Sequence, residues 1–112
     1  MTESAELVRV LRFHLKLLYS TRVASEFAAQ PTGTLGRWGL GEHWRKVLPD
    51  PLSPGFAAEA HGRRIMAAND LLATYGATLR HLDCASAGDI FNSPWFVSYL
   101  DSPEFFEERF SL

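Results

Sequence analysis

Histidine and cysteine are the residue types in this sequence that could bind a metal ion. They are His14, His43, His61, His81 and Cys84. Of these, only His81 and Cys84 lie three residues apart, whereas a structural zinc site takes four ligands and a catalytic site three. No His follows a Glu at the three-residue spacing that di-iron helical bundles use. We therefore expect neither a metal nor a cofactor.

Covalent catalysis has one candidate thiol nucleophile, Cys84. It would need a neighbouring base, and the spacing leaves open whether His61 or His81 folds close to it. The glycines at positions 33, 36, 39 and 41 lack the lysine of a phosphate-binding loop. We expect a protein that is not an enzyme. The alternative of another class is a small helical enzyme or metal-binding bundle that uses His61, His81 and Cys84.

Tryptophans interleaved with basic residues could bind a single-stranded nucleic acid. Such a patch would consist of Arg37, Trp38, Trp44, Arg45 and Lys46. The formal net charge of −2, however, argues against a general nucleic-acid binder. We expect these side chains to combine core packing with a solvated rim, and we expect no nucleic acid partner.

Size and composition indicate one folded domain. The chain has 112 residues, of which 46% are hydrophobic and 21% charged, as in ordinary globular proteins. Its single cysteine excludes an internal disulfide and is consistent with a reducing compartment. No stretch reaches the roughly 20 apolar residues of a transmembrane helix, so we expect no membrane span and no secretory signal.

Charge is distributed unevenly along the chain. Residues 1–48 contain seven Lys or Arg and four Asp or Glu, whereas residues 49–112 contain four and nine. The first part is therefore basic (+3) and the second acidic (−5). This asymmetry predicts either ion pairs that neutralise each other across the fold or two charged faces for two partners.

The first predicted helix begins at Thr2 or Ser4, which are good N-caps, and ends at Pro31 and Gly33. Its narrow polar stripe consists of Arg9, Arg12, Lys16 and Ser20. The apolar arc is wider than packing on one neighbour requires, which favours a helix with a face left for another protein. His14 lies on that arc, so we expect a core or interface histidine. A basic amphipathic helix is also typical of mitochondrial import signals.

Two further helices are predicted. A short one covers residues 40–48 and is followed by a proline-rich connector. Ser53–Pro54 is a strong start signal for a long third helix, which Gly88 ends. Gly62 and Gly76 lie inside this helix, and we expect close backbone contacts with neighbouring helices at both positions.

We expect residues 89–112 to form an aromatic extension of short helical turns. Ser93–Pro94 and Ser102–Pro103 each predict a cap followed by a first helical residue. The large aromatic residues of the extension include Trp95, Phe96, Phe105, Phe106 and Phe110. So many rings either fold back on the helices or dock into a partner. The expected fold is all-α: a bundle-like domain over residues 1–88 with a long, a short and a long helix, followed by this extension.

Residues 10–19, VLRFHLKLLY, resemble the first helix of the LYR-motif proteins, which are small mitochondrial three-helix adaptors. Phe13, His14 and Leu15 stand where that family has Leu, Tyr and Arg. The residues around them are conservative matches, and a long third helix after a short connector also agrees with the family.

A second segment, residues 35–46 (LGRWGLGEHWRK), is similar to the second-helix signature of the succinate dehydrogenase assembly factor 3-like branch. Leu35 and Gly36 match the start of that signature, Trp44 its Phe, and Arg45 its Arg. The resemblance covers roughly residues 7–82.

The resemblance implies a non-catalytic accessory subunit or assembly adaptor of a mitochondrial inner-membrane respiratory complex, located on the matrix side. A subunit of mitochondrial ATP synthase or of the mitochondrial ribosome is the alternative within the same class. In the family, basic residues near the Arg position meet the acidic helix of an acyl carrier protein. Leu15 is apolar, so an acyl carrier protein would have to be bound by Arg12 or Lys16.

The predicted mechanism is protein–protein recognition, in which apolar side chains supply buried area and basic side chains orient an acidic partner. The candidate partner-binding residues are Arg9, Arg12, Phe13, His14, Leu15, Lys16, Arg37, Trp44, Arg45, Lys46, Trp95, Phe96, Phe105 and Phe106.

Overall fold

The structure of the chain, a computed structural model, describes residues 3–109 and the side chains of residues 5–107. All regular elements in this range are helical, which confirms the predicted all-α fold. They are α1 (Glu3–Tyr19), α2 (Thr21–Ala29), α3 (Pro31–Arg37), a 3₁₀ helix (Glu42–Lys46), α4 (Pro54–Arg80), α5 (Ala87–Phe91), α6 (Pro94–Asp101) and α7 (Pro103–Arg109). None of the helices within residues 3–109 combines the length and hydrophobicity needed to cross a bilayer. The expected N-cap Thr2 and the ring of Phe110 lie outside the described residues.

The first predicted helix is divided at Ser20, which corrects the prediction of one helix as far as Pro31. Ser20 has extended backbone angles (φ −97°, ψ 112°) and caps α2, because its Oγ accepts a hydrogen bond from the Val23 backbone N at 3.1 Å. The spacing of apolar residues continues across this break. Hydrophobic periodicity alone therefore does not reveal it.

A helix that the sequence does not predict, α3, follows directly. Pro31 is its first residue, a position where a missing N–H costs nothing. Thr34 is buried, and its Oγ1 donates to the Glu26 carbonyl at 3.1 Å, which also accepts from the Gln30 backbone N at 2.8 Å. The buried hydroxyl of Thr34 is thereby satisfied. The predicted helix over residues 40–48 is shorter than expected, since only Glu42–Lys46 is helical, as a 3₁₀ helix.

The start of α4 agrees with the prediction. Ser53 Oγ accepts a hydrogen bond from the Phe56 backbone N at 3.3 Å, and Pro54 is the first helical residue. The expected close backbone contacts at Gly62 and Gly76 are wrong, because a Cβ added at either position would meet nothing within 4 Å. Both glycines therefore lie beside open space.

The end of α4 differs from the prediction. The helix stops at Arg80, and Asp83 reverses the chain with a φ of 59°, in the left-handed region that Asp tolerates better than most residues. Gly88, the expected terminator, lies inside α5. Ser86 and Asp89 form a reciprocal capping box at the start of that helix.

The C-terminal helices fold back on α1 and complete the core. The Tyr19 ring lies 5.1 Å from the Phe105 ring and 6.2 Å from the Phe106 ring, measured between centroids. Phe105 also contacts Tyr99 at 5.3 Å. Helix α1 thus lies between α4 on one side and the two last helices on the other. The largest fully buried side chains include Phe13, Leu17, Val23, Leu35, Ile90, Phe96 and Phe105.

Candidate partner-binding surface

Three apolar side chains in the first half of α1 face solvent, and we call them the α1 patch: Leu7, Val8 and Leu11. Their exposed fractions are 48%, 39% and 46%. Leu11 is the i+4 neighbour of Leu7 and the i+3 neighbour of Val8, so it links the other two side chains on the helix surface. Val10 and Phe13, on the other side of the same turns, are buried. The half-exposed apolar cluster is therefore presented by a helix that is packed from behind.

Glu6 attaches the 3₁₀ helix to the first half of α1. Trp44 Nε1 donates to Glu6 Oε1 at 2.8 Å, and the Gly41 backbone N donates to the same oxygen at 3.5 Å. The hydrogen bond from Trp44 is the largest influence on the pKa of Glu6 and outweighs burial, so this pKa lies below its ordinary value. Trp44, a predicted partner contact, is half-buried and is used in the chain's own packing.

The tripeptide at the LYR-like position lies mostly inside the fold. Phe13 is fully buried, and its ring contacts Phe27 at 5.2 Å and Trp38 at 5.1 Å. His14 and Leu15 are half-buried, and Leu15 packs against the core. Among these three residues, only His14 and Leu15 retain surface that a partner could touch.

A polar cluster that the sequence does not predict holds the second half of α1. We call it the Asp101 junction, and it consists of Asp101, Lys16, Ser20 and Arg22. Ser20 Oγ donates to Asp101 Oδ1 at 2.6 Å. Arg22 donates through Nε to Oδ2 at 2.8 Å and through Nη2 to Oδ1 at 3.3 Å, the two-pronged geometry of strong arginine–carboxylate pairs. Lys16 Nζ donates to the Asp101 carbonyl at 3.1 Å and lies 4.1 Å from the centre of the Phe106 ring.

The pKa values of the junction reflect these contacts. Burial raises the pKa of Asp101, but the hydrogen bonds from Arg22 and Ser20 outweigh burial, so the pKa lies below its ordinary value. Burial lowers the pKa of Lys16, against the opposing effect of Asp101. Lys16 and Arg22 belong to the basic first part of the chain and Asp101 to the acidic second part. At this point the two parts neutralise each other across the fold.

The remaining basic residues of the predicted site are distributed over several surfaces. Arg12 lines a cleft of about 210 Å³, and Arg45 lines another of about 290 Å³. Arg37 and Arg45 each lie near a glutamate carboxylate, at 3.9 Å and 3.5 Å. Arg9 is half-buried and Lys46 is exposed. A single basic docking face is not formed by these side chains.

The aromatic residues of the extension are divided between core and surface. Phe96, Phe105 and Phe106 are buried in this chain, so for them folding back on the helices is the alternative that applies. Trp95 is 38% exposed, and Val97, two positions later in α6, is 49% exposed. These two large hydrophobic side chains of the segment therefore keep surface that a partner could touch.

The histidine and cysteine residues of the alternative site have ordinary structural surroundings. The His61 ring lies 5.1 Å from the Phe91 ring. Cys84 is buried, and its Sγ lies 3.5 Å from Ser93 Oγ, a hydroxyl rather than an imidazole. His81 follows the last residue of α4 and is exposed. Over residues 3–109, no three His, Cys, Asp or Glu residues are grouped so that they could hold a metal ion.

No family model matches the chain, and comparison with curated proteins and with solved structures finds no match. The similarity to the LYR-motif proteins stays a prediction that rests on residues 10–19 and 35–46. The α1 patch and its surroundings are therefore the basis for inferring a function.

Proposed function

We propose that the chain is a non-catalytic adaptor or accessory subunit that acts by binding another protein through the α1 patch. The observation that supports this proposal is the exposure of Leu7, Val8 and Leu11 on a helix whose opposite side is packed. Neighbouring exposed apolar side chains on a soluble fold are typical of surfaces that a partner covers.

The size of the patch indicates how strongly it can contribute to binding. Fully burying a Leu or Val side chain contributes roughly 1.5–3 kcal/mol, and these three are about half exposed in the isolated chain. Covering all three therefore contributes on the order of 3 kcal/mol before the costs of association. The patch can act as the apolar centre of an interface, and polar contacts around it must supply the rest.

Hydrogen bonds hold both halves of α1 in place, and this keeps the conformational entropy lost on binding small. Glu6 is tied to Trp44 in the first half, and Ser20 follows the second half and is tied to Asp101. A helix held in this way loses little conformational freedom when a partner covers it. Because α1 is already folded and held, no folding step has to precede binding, and this favours a stable contact.

The similarity to the LYR-motif proteins extends the proposal to a host. On that basis the partner is a mitochondrial inner-membrane complex, most simply a respiratory one, with the chain on the matrix side. An acyl carrier protein would have to use Arg12, because Lys16 is already engaged by Asp101 and Phe106. The half-buried Leu15 provides no charge at the position of the family Arg.

The experiment is purification of a tagged chain from mitochondria of its own cells, comparing wild type with Leu11→Glu and Leu52→Glu. Leu52 is 78% exposed in the connector before α4, so it is a matched control for an added charge on an exposed leucine. We expect wild type and L52E to migrate with an inner-membrane complex and L11E to migrate alone, with all three equally folded by circular dichroism.

The same experiment identifies the host. Mass spectrometry of the co-migrating proteins distinguishes a respiratory complex from ATP synthase or the mitochondrial ribosome. A wild-type chain that migrates as a monomer, or an L11E chain that still migrates with the complex, would contradict the proposal.

A further inference from the structure

A cleft between α1, α2, α4, α5 and α6 contains a charged group, Arg64, that has no ion pair with any residue whose side chain the structure describes. We call it the Arg64 cleft. It has a volume of about 240 Å³, and its lining residues include Tyr19, Thr21, Arg64, Phe91, Phe96 and Leu100. Its walls are mainly aromatic and aliphatic, and Arg64 is the charged residue among them. Val97, which is half exposed, stands at its rim.

Arg64 differs from the other arginines in its neighbourhood. Its Nε is shielded from solvent and has no hydrogen-bond partner among the residues that the structure describes. Arg63, one position earlier, pairs with Glu59 at 3.2 Å, and Arg22 pairs with Asp101. Burial alone lowers the pKa of Arg64. Arg64 is half-buried, and a guanidinium whose Nε is shielded from water and unbonded is unfavourable. An incoming anion would relieve this.

The dimensions of the cleft restrict what could occupy it. Pockets for cofactors and drug-sized ligands usually have volumes of about 300–1,000 Å³, and this cleft is smaller. It suits a single apolar side chain with a carboxylate close by, since Arg64 lies among rings and leucine rather than at a separate polar end. Guanidinium and carboxylate groups form two parallel hydrogen bonds, the strongest pairing available here.

We propose that the Arg64 cleft binds the apolar C-terminal residue of a partner polypeptide, whose carboxylate pairs with the Arg64 guanidinium. A C-terminal residue carries the carboxylate and the apolar side chain on the same carbon and brings one peptide group with it. An internal Asp or Glu would bring two peptide groups into walls where Thr21 and Tyr19 supply the remaining polar atoms. This inference rests on the proposed function, because it names a second contact made by the same kind of partner.

The test is a titration of the full chain, followed by NMR, with acetyl-glycyl-leucine as the probe. Its C-terminal amide is the matched control, since it differs only in lacking the carboxylate. Acetyl-glycyl-glycine lacks the apolar side chain, and 4-methylpentanoate has both groups but no peptide. We expect acetyl-glycyl-leucine to bind at least about tenfold more tightly than its amide, because charge-assisted hydrogen bonds are lost in the amide. We expect both other compounds to bind more weakly than the free dipeptide acid.

Two variants place the binding site. Arg64→Gln removes the charge and is expected to abolish the preference for the acid over the amide. Arg80→Gln is the matched control and is expected to leave it unchanged, because Arg80 is an exposed arginine of the same helix that does not line the cleft. Val97→Glu places a carboxylate at the rim of the cleft, where it repels the carboxylate of the dipeptide and should weaken its binding. Val97 is half exposed, so this serves as a second variant should R64Q fail to fold. Equal binding of acid and amide, or unchanged binding by the folded variants, would overturn the inference. Binding of 4-methylpentanoate as tight as that of the dipeptide would overturn the polypeptide occupant in favour of a small acid.

The binding of the dipeptide to the Arg64 cleft can be tested separately from the α1 patch. Leu11→Glu is expected to bind acetyl-glycyl-leucine like the wild type, because Leu11 does not line this cleft. If the dipeptide fails to bind while L11E still loses the co-migrating complex, the Arg64 inference is wrong and the proposed function stands. If the dipeptide binds as expected but L11E keeps its complex, the proposed use of the α1 patch is wrong instead.

Discussion

The two halves of α1 have similar apolar residues and opposite environments. In the first half Leu7, Val8 and Leu11 are about half exposed, whereas in the second half Leu17 and Leu18 are buried. The difference arises from what covers each half. The C-terminal helices close over the second half through Phe105 and Phe106, while the 3₁₀ helix reaches the first half beside the patch, at Glu6.

This contrast shows that distant segments decide which part of an amphipathic helix is surface. An apolar arc wider than one neighbour requires predicts spare hydrophobic surface, but it does not say where along the helix that surface lies. Here the Asp101 junction positions α6 over the end of α1. The first half keeps its apolar side chains about half exposed.

The largest expected effect comes from truncating a leucine in the second half. Leu17→Ala should reduce the free energy of unfolding by about 2–5 kcal/mol, because it leaves a cavity in a fully packed site. Leu11→Ala should reduce it by less than about 1 kcal/mol, since half of that side chain is already in water. Urea denaturation of both variants measures the difference. Equal losses would mean that the two halves are covered to the same extent.

The next largest effect on stability is expected at the Asp101 junction, which is made by the second half of α1 and not by the first. Asp101→Asn should cost about 2 kcal/mol of unfolding free energy, because Lys16, Ser20 and Arg22 lose a charged partner. The value is below that of a fully buried pair, since the Arg22 side chain is 59% exposed. Glu59→Gln breaks an exposed i,i+4 pair with Arg63 and should cost less than about 0.5 kcal/mol. A D101N variant as stable as E59Q would show that the junction does not hold α6 in place.

The contribution of the Asp101 junction to stability should also depend on pH. A carboxyl whose pKa is lower in the folded chain contributes stability that is complete above its unfolded-state pKa and is lost as the pH falls through the folded-state value. For Asp101 the unfolded-state pKa is about 3.9, and the folded-state pKa is lower. The stability difference between wild type and D101N should therefore be constant from pH 7 to about pH 5 and should shrink below about pH 4. Denaturation at several pH values checks this, and a difference that persists unchanged at low pH would contradict it.

Local signals in the sequence account for the elements that could be predicted. Ser53–Pro54 begins α4, and Pro94 and Pro103 begin α6 and α7, because a cap followed by proline is decided by neighbouring residues. The break at Ser20 could not be predicted in the same way, since a single serine in a periodic apolar run is compatible with a continuous helix.

The candidate site depends on pairings between residues far apart in the chain. Asp101 lies 81 positions from Ser20, and no spacing rule connects them. The sequence predicts spare apolar surface and basic residues on α1, but the direction in which Lys16 points is decided by Asp101 and Phe106. The unbonded Nε of Arg64 could not be predicted either, because the absence of a partner among residues 3–109 is a property of the cleft around it.

A smaller effect is expected in the first half of α1. Trp44→Phe keeps an aromatic ring but removes the Nε1–H that donates to Glu6. The pKa of Glu6 should then rise towards its ordinary value, since that hydrogen bond is the main cause of its lowering. NMR titration of the Glu6 carboxyl measures the shift, and D101N serves as the control in which this pKa should not change. An unchanged pKa in W44F would mean that another group holds the Glu6 carboxylate.

The smallest effects are expected at two glycines, with opposite signs. Gly39 has a φ of +69° beside the Arg9 side chain, so Gly39→Ala should destabilise the chain by about 1 kcal/mol through backbone strain. Gly62 lies in the middle of α4 with open space around an added Cβ, so Gly62→Ala should stabilise it by about 0.5–1 kcal/mol. Thermal denaturation of the two variants gives the signs directly. Because Gly39 leads into the 3₁₀ helix that supports the first half of α1, a neutral G39A would indicate that this support is loose, and the α1 patch would then lose the rigid backing on which its low cost of binding depends.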